Sequence, residues 1–489
     1  MAICYDCRVH SQEFARAAAG VMAANGIPVR LLRPCAPPEL SFAVREYGCV
    51  AGLNVTASHN PPEYNGYKVY WSDGAQLPPQ HAAAIAAQME ALDVFDDVRT
   101  MDYEQARAQG LITLLGRETD DKFLSHVLDQ INDRQAVAQV TDAFRMVYTP
   151  FHGTGYQQIP YVLEQLGIRY LHCVPEQMVI DGTFPTVKSP NPETPESFAL
   201  AQKLAKEVDA QLILGSDPDA DRVAIQVKDR KGDYVQISGN QTGVLLLDYL
   251  IGAKRRAGTL PENPVALKSL VTTQLAQVVA EANGVRCYNT FTGFKFMAEK
   301  KNQLEAAGQG HVIFSYEESI GYMIGDYVRD KDAVTAALLL TEMTAWYAAR
   351  GMTLLDALQA IYETYGYYGE NTLNLVMPGL EGMGKCRPSW LLSGRHPRPD
   401  RGHHGLPPAG LPDRHRTGHC HRRDYRHGVG RVQRAGIPAG RRHHPGGPSL
   451  GTEPKIKVYV LASGTDSADC QRKVEQYTAW AETLRHWAD

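Results

Sequence analysis

A chain of 489 residues carries 50 Lys and Arg against 54 Asp and Glu, a formal charge of −4, and 44% of it is hydrophobic. That length predicts about three to four domains, while a mean hydropathy of −0.32 and apolar runs shorter than the ~18–20 residues of a span exclude a membrane-spanning chain. The opening Met1–Asp6 has neither a basic start nor a long apolar run, so no secretory signal is expected; nine scattered cysteines predict a reducing cytoplasm rather than a disulfide scaffold.

From Met1 to about Tyr365, short apolar runs alternate with amphipathic stretches, which predicts α/β units with largely parallel strands. Gln12–Ala24 is Ala-rich with amphipathic spacing and stops at Asn25-Gly26, so a helix ends there and Pro28–Leu32 starts the next strand. A second unit opens on the strand Phe144–Tyr148, turns at Phe151–Gly155 and enters a helix over Ile159–Leu166. Ala210–Leu214 is a buried strand leading into Gly215–Arg222. A third unit has strands near Pro264–Ser269, Val285–Thr290 and His311–Ser315, with helices over Gln274–Ala282 and Lys331–Ala348. Boundaries are expected near 130–142, 255–264 and 368–384, giving domains at 1–130, 141–255 and 260–368. The predicted fold class is α/β: three similar domains with mixed, largely parallel sheets, plus a fourth, C-terminal α+β domain that is incomplete.

The composition changes at Lys385. Up to Pro448 there are 13 Arg and one Lys against three Asp and no Glu, a net +11 that leaves −15 on the other 425 residues. Nine of the 17 histidines lie in this stretch, its aromatics are Trp390 and Tyr425, and no hydrophobic periodicity survives.

Three motifs carry chemistry. Thr56-Ala-Ser-His-Asn-Pro-Pro-Glu-Tyr-Asn-Gly-Tyr-Lys68 places a serine beside a histidine in a loop after the apolar Val50–Val55. A hydroxyl needs a base or an electrophilic partner to act as nucleophile, and Asn, Lys and backbone N–H groups can hold an anion moved to or from it; a loop merely capped by Ser and Asn is the alternative. Asp217-Pro-Asp-Ala-Asp-Arg222 sets three carboxylates at alternate positions, a pattern that converges on a hard cation such as Mg²⁺, with Arg222 as a planar phosphate or carboxylate donor. The alternative is an acidic surface turn, whose carboxylates would repel one another without a cation. Tyr316-Glu-Glu-Ser-Ile-Gly-Tyr322 ends a strand with groups suited to neighbouring sugar hydroxyls, although Glu-Glu-Ser equally opens a helix. Thr292-Gly-Phe-Lys295 and Arg329-Asp-Lys-Asp-Ala333 are further strand-end loops carrying cations. Ser449-Leu-Gly-Thr-Glu-Pro-Lys-Ile-Lys457 reads as a phosphate cradle of backbone N–H groups before the strand Val458–Leu461.

Taken together and in this order, the motifs resemble those of the α-D-phosphohexomutases, the phosphoglucomutase/phosphomannomutase superfamily. The resemblance covers about Met1–Gly382 and Gly451–Asp489, and Tyr64-Asn-Gly-Tyr-Lys-Val-Tyr70 looks like its bacterial and pentose-related branch. It implies a heart-shaped enzyme of four domains around one deep cleft. Ser58 would be phosphorylated at rest and coordinate Mg²⁺ through its phosphate, with Asp217, Asp219 and Asp221 as the other ligands. Phosphoryl transfer to a sugar hydroxyl would give a hexose 1,6-bisphosphate, which turns around and returns its other phosphate to Ser58. Glu317 and Ser319 would grip the sugar; His59 and Lys331 would move protons or steady the phosphate. Arg222, Thr292, Gly293 and Lys295 would also contact substrate, while Ser449, Gly451, Thr452 and Lys455 would hold the non-reacting phosphate. The implied partners are sugar phosphates, without nucleic acid or membrane, for a cytoplasmic monomer or weak homo-oligomer. Glucose is the first expectation and mannose or a pentose the second.

Two departures stand against the resemblance. Ile3-Cys-Tyr-Asp-Cys-Arg8 resembles an interior strand of the first domain, with Cys7 where Ser or Thr is usual. The family's opening strand and its Gly-Thr-(Ser/Ala)-Gly-x-Arg-Gly loop are missing, and with them an arginine next to the phosphoserine. Cys4-x-x-Cys7 also reads as a redox or zinc pair, but no second pair answers it. The second departure is 385–448, where the family places the body of its fourth domain. A basic nucleic-acid arm and a metal cluster of His415, His419, Cys420, His421 and His427 are alternatives to the favoured reading, translation out of frame, since shifted GC-rich codons give Arg, Gly, Pro and His. The segment is expected to be disordered or irregular coil, with 449–489 the remnant of the fourth domain and its sheet mostly unformed. An inactive sugar-phosphate-binding remnant is therefore the rival to an active mutase.

Overall fold

In the computed structural model, which describes residues 1–376, 431–434 and 455–483, the chain divides into two units, Met1–Tyr365 and Gly366–Asp489. The first unit holds three sheets. In the first, β1 (Ala2–Tyr5), β2 (Val29–Pro34), β3 (Ala51–Val55), β4 (Tyr67–Trp71) and β5 (Ile112–Leu114) lie in the order β4-β3-β1-β2-β5. The interior position read for Ile3–Arg8 is thus observed: β1 runs parallel to both β2 and β3 and is buried along its length. Helices on both faces account for that burial. Ala15, Ala19 and Ala23, four residues apart on helix Ser11–Ala24, meet Ile3 and Tyr5 on one face; Leu40, Ala43 and Val44 of helix Pro37–Glu46 meet Ala2 and Cys4 on the other.

The second sheet takes β6 (Arg145–Thr149), β7 (Tyr170–Cys173), β8 (Leu212–Ser216), β9 (Val223–Lys228) and β10 (Tyr234–Ile237) in the order β10-β9-β8-β6-β7. Its first helix runs Gly155–Leu166, one turn earlier than the sequence suggested, with Pro160 inside it. Proline there removes one main-chain bond; the helix opens at Gly155, where a Cβ would meet Tyr148 Oη at 2.6 Å. The third sheet orders β11 (Pro264–Ser269), β12 (Arg286–Thr290), β13 (His311–Glu317) and β14 (Gly321–Met323) as β12-β11-β13-β14. Helix Gly239–Ala257 packs on β13 and on helix Leu275–Ala282. It opens with Ser238 accepting from Gln241 N while the Gln241 side chain takes the Ser238 N–H.

Helix Ala333–Ala348 ties the three domains together. It is buried on nearly every side, with Glu342 accepting from Asn132 N and Tyr249 Oη in the interior, and it packs on helices Arg117–Leu128, Arg134–Val140 and Gly155–Leu166. It begins two residues later than expected because Asp332 caps it, accepting from Val334 N at 2.8 Å and Thr335 N at 3.1 Å. Among the described residues no helix is long and apolar enough to cross a membrane.

The second unit contains β15 (Tyr367–Val376), β16 (Arg431–Arg434) and β17 (Lys455–Gly464) as an antiparallel sheet in the order β15-β17-β16, with helix Ser467–Glu482. The described part of the expected fourth, α+β domain is thus a small antiparallel sheet with one helix. Alternation along β15 and β17 supplies one apolar face, Leu373 and Leu375 beside Val458 and Val460, and the helix covers it with Ala481 and Tyr477. Arg431–Arg434, inside the stretch expected to be coil, is paired with Val458–Leu461. The rest of 385–448, including the five candidate His and Cys ligands and most of the basic run, lies outside the described residues, as do Ser449, Gly451 and Thr452. Lys455 is the first residue of β17.

Candidate active site

Three loops meet because each leaves the C-terminal end of a strand, the edge at which α/β sheets present reactive groups. The loop after β3 carries Ser58, the loop after β8 carries Asp217–Arg222, and the turn between β13 and β14 carries Glu318–Ile320 just after Glu317. Main-chain bonds lock the last two together: Val223 N donates to Ile320 O at 3.2 Å, and Arg222 bridges to Gly321. Ile320 adopts a left-handed conformation, φ 54°, rare for a β-branched residue. Gly321 is required beside it, since a Cβ there would lie 2.4 Å from Lys331 Cδ. The metal loop rests in the same way on the Phe151–Gly155 turn, where a Cβ on Gly153 would come within 2.4 Å of Pro218 Cα.

Ser58 is also left-handed, φ 53°. Its Oγ donates to Asp217 Oδ2 at 2.9 Å and lies 3.2 Å from His59 Nδ1. Its N–H donates to Thr56 Oγ1 at 2.9 Å; that hydroxyl lies 2.7 Å from Asp6 Oδ2 and 3.1 Å from Asp219 Oδ2, to one of which it donates. Asp217, Asp219 and Asp221 each offer an oxygen within 4.8 Å of the others, and all three are buried. Asp217 Oδ1 accepts from the N–H groups of Asp221 (3.1 Å) and Arg222 (3.0 Å). Lys68 Nζ donates to Asp219 Oδ2 at 2.7 Å and Asp221 Oδ2 at 2.9 Å, and Lys331 Nζ stands 3.3 Å from the same Asp221 oxygen.

Charge and burial pull these groups apart. Burial pushes Asp217 well above the ordinary carboxylate range, and Asp219 and Asp221 add to the rise. Burial acts the same way on Asp221, yet Lys331, Lys68 and Arg222 together hold it below that range. Against its own burial, Lys331 is pushed up to about 12 by Asp221, Asp330 and Glu317, so it is a cation at neutral pH. Burial also raises Glu317, opposed by Lys331 and Arg222.

A hard divalent cation fits these residues. Asp219 Oδ1 and Asp221 Oδ1 are buried without any hydrogen-bond partner, a costly state for a carboxylate oxygen, and with Asp217 they form an all-oxygen donor set beside the Ser58 hydroxyl, which suits Mg²⁺.

The structure brings Ser58, His59, Asp217, Asp219, Asp221, Arg222, Glu317 and Lys331 into one cluster. Ser319 is half-buried in the turn after Glu317. Glu318 is engaged elsewhere, accepting from Ser269 Oγ at 2.9 Å. Thr292, Gly293 and Lys295 do not join the cluster: among the described residues no hydrogen bond or ion pair links them to the aspartates, and Lys295 lies over the Phe296 ring. Cys4 and Cys7 are buried free thiols, pushed up by burial, and Cys4 Sγ faces Asn54 Oδ1 at 3.1 Å. Two contributors went unassigned in the sequence reading. Lys68 reaches the aspartates from β4, and Asp330 steadies Lys331 while accepting from Tyr70 Oη (2.7 Å) and Gln76 Nε2 (2.8 Å). The signal for Lys68 was present: a lysine within an otherwise aromatic and apolar strand, Tyr67–Trp71.

Comparison with known proteins gives the same grouping. The phosphoglucomutase/phosphomannomutase alpha/beta/alpha domains I, II and III match residues 1–94, 121–232 and 238–365. A phosphoglucomutase of Staphylococcus aureus (strain N315) is 35% identical over 382 residues, spanning 78% of this chain and 67% of the relative. That of Staphylococcus haemolyticus (strain JCSC1435) is 34% identical over 379 residues, 77% and 67% of the two chains. The crystal structure of a phosphoglucomutase/phosphomannomutase family protein from Burkholderia thailandensis shares the fold with a TM-score of 0.63 at 17% identity, covering 99% of this chain and 89% of that one. Three consecutive domain matches, with the serine and aspartate loops meeting at their strand ends, make this chain a member of the phosphoglucomutase/phosphomannomutase family, an intramolecular phosphotransferase.

Proposed function

We propose that this protein interconverts the 1-phosphate and 6-phosphate of a hexose, glucose first and mannose second, or else the 1- and 5-phosphate of a pentose, with Ser58 as the phosphoryl carrier. The observation that carries the reading is the Ser58 hydroxyl 2.9 Å from Asp217 in a cluster with two orphaned carboxylate oxygens. In the forward half-reaction the phosphoserine O–P bond breaks as a sugar hydroxyl forms its own bond to phosphorus, giving the hexose 1,6-bisphosphate; in the second half the other phosphate returns to Ser58. A divalent cation held by Asp217, Asp219 and Asp221, Mg²⁺ by its donor set, would neutralise charge on the transferring group. His59, 3.2 Å from Ser58 Oγ, gives a proton to that oxygen as the phosphoserine bond breaks and takes it back in the second half. The attacking sugar hydroxyl releases its proton to solvent, and the sugar oxygen uncovered in the second half regains one. Lys331 remains protonated and steadies phosphate oxygens. Glu317 and Ser319 hold sugar hydroxyls, and Arg222 supplies a planar cation. The seven free cysteines among the described residues suit a reducing compartment.

Coupled turnover of glucose 1-phosphate and mannose 1-phosphate, with Mg²⁺ and a trace of the bisphosphate, tests the reading. A higher kcat/KM for glucose supports it, the reverse reassigns the sugar, and no turnover of glucose, mannose or pentose phosphates overturns it.

A further inference from the structure

We propose that Arg8 is the positioning residue that holds Ser58 in its left-handed, transfer-ready conformation. This rests on Ser58 being the phosphoryl carrier. Arg8 emerges just past the C-terminal end of β1 and is 3% exposed. Its guanidinium donates to four main-chain carbonyls of the Ser58 loop: Nη1 to Pro61 O (2.8 Å) and Tyr64 O (2.9 Å), Nη2 to Ser58 O (2.8 Å) and Asn60 O (2.5 Å). The loop is therefore wrapped around a cation, its carbonyls turned inward.

Arg8 is itself fixed from three directions. Asp6 lies 3.4 Å from its Nε and accepts its main-chain N–H at 2.9 Å. The Phe184 ring, from the second domain, faces the guanidinium at 5.1 Å. Gly182 closes over its backbone, where a Cβ would lie 2.7 Å from Arg8 Cα.

The same Asp6 carboxylate is within hydrogen-bond distance of Thr56 Oγ1, which receives the Ser58 N–H. Both main-chain groups of Ser58 are thus gripped, the N–H through Thr56 and the carbonyl by Arg8. A serine with φ 53° is held against its own preference, and release of the carbonyl side would let it relax away from Asp217. Lysine does not reproduce this grip, because one ammonium cannot direct donors to four carbonyls from a rigid planar fork.

The test compares Arg8→Lys with the wild-type chain by kcat and KM for glucose 1-phosphate, and by the phosphate content of Ser58 after incubation with glucose 1,6-bisphosphate. The expected result is a kcat loss on the order of 10²-fold, the scale of a reacting group displaced by about 1 Å. KM should stay within about twofold, because the proposed sugar-holding residues lie on other loops. Unchanged kcat, or a loss confined to KM, overturns the proposal. If Arg8→Lys fails to melt cooperatively, Phe184→Leu decides: it loosens the guanidinium while leaving its hydrogen bonds, so a kcat loss at constant KM supports the role and an unchanged kcat overturns it. A wild-type chain that turns over without phosphate on Ser58 would instead refute the carrier assignment, a separately visible result.

Discussion

Two charged clusters sit on either side of Asp330, and they are built to opposite rules. Around Arg329 every guanidinium nitrogen is satisfied: Nε donates to Asn302 Oδ1 (2.7 Å), Nη1 to the carbonyls of Asp326 and Val328, and Nη2 to Glu305 Oε2 (2.8 Å). Lys301 closes the group through Glu305 and Asp326. Around Lys331, by contrast, Asp219 Oδ1, Asp221 Oδ1 and Arg222 Nε make no hydrogen bond among the described residues, the last two meeting only as an ion pair at 3.6 Å. Both clusters contain buried charge and both belong to the Arg329–Asp332 loop. Burial of charge is common to both; what separates the cluster proposed to transfer the phosphoryl group is a set of buried charged groups with unmet hydrogen-bonding capacity.

The largest expected effect comes from the serine in the unsatisfied cluster. Ser58→Ala should lower turnover by on the order of 10⁴-fold or more, as for the loss of other covalent carriers, with an unchanged melting temperature; activity near wild type would place the carrier elsewhere. Asp219→Asn should weaken Mg²⁺ affinity beyond the ~10–100-fold cost of losing an outer partner of a metal ligand, read by titrating Mg²⁺ against turnover and by calorimetry. Equal affinity would make the aspartate loop structural.

Arg329→Met attacks the satisfied cluster. Its ionic partner Glu305 is 29% exposed at the side chain, and Asp326 meets Arg329 through the main-chain carbonyl, so the variant should lose about 1–3 kcal/mol of stability in denaturant titrations. Its Mg²⁺ affinity should not change, and a parallel loss of metal binding would erase the distinction between the clusters. Smallest is Tyr70→Phe at the junction. Removing the hydroxyl that donates to Asp330 leaves Gln76 in place, so kcat should fall a few-fold, and a loss comparable to Asp219→Asn would promote Asp330 from support to participant.

These contrasts also explain what could be read from the residues alone. Asp217, Asp219 and Asp221 were legible because alternate spacing in one short loop is a local pattern, and strands such as Leu212–Ser216 because a buried strand opens on a continuous apolar run. Lys68 was legible as a cation of the serine loop but not as a partner of the aspartates, which lie 151 and 153 residues further on. Arg8 was harder still: its acceptors are main-chain carbonyls, which every residue has, so its contacts leave no trace in side-chain identity. The opening turn of helix Gly155–Leu166 was less legible, because Gly155-Tyr-Gln-Gln carries little apolar periodicity and the clear apolar positions begin at Ile159. The pairing of β17 with β15 was less legible, because the whole basic stretch separates the two alternating strands in sequence.

The central claim, that the buried aspartates and Ser58 form one phosphoryl-transfer site, meets its most direct test in peptide mass spectrometry. The purified chain would be incubated with glucose 1,6-bisphosphate with and without Mg²⁺. The account expects phosphate on the peptide bearing Ser58, gained with Mg²⁺ and largely absent without it. Phosphate on a different residue, or on Ser58 to the same extent when Mg²⁺ is withheld, would contradict it.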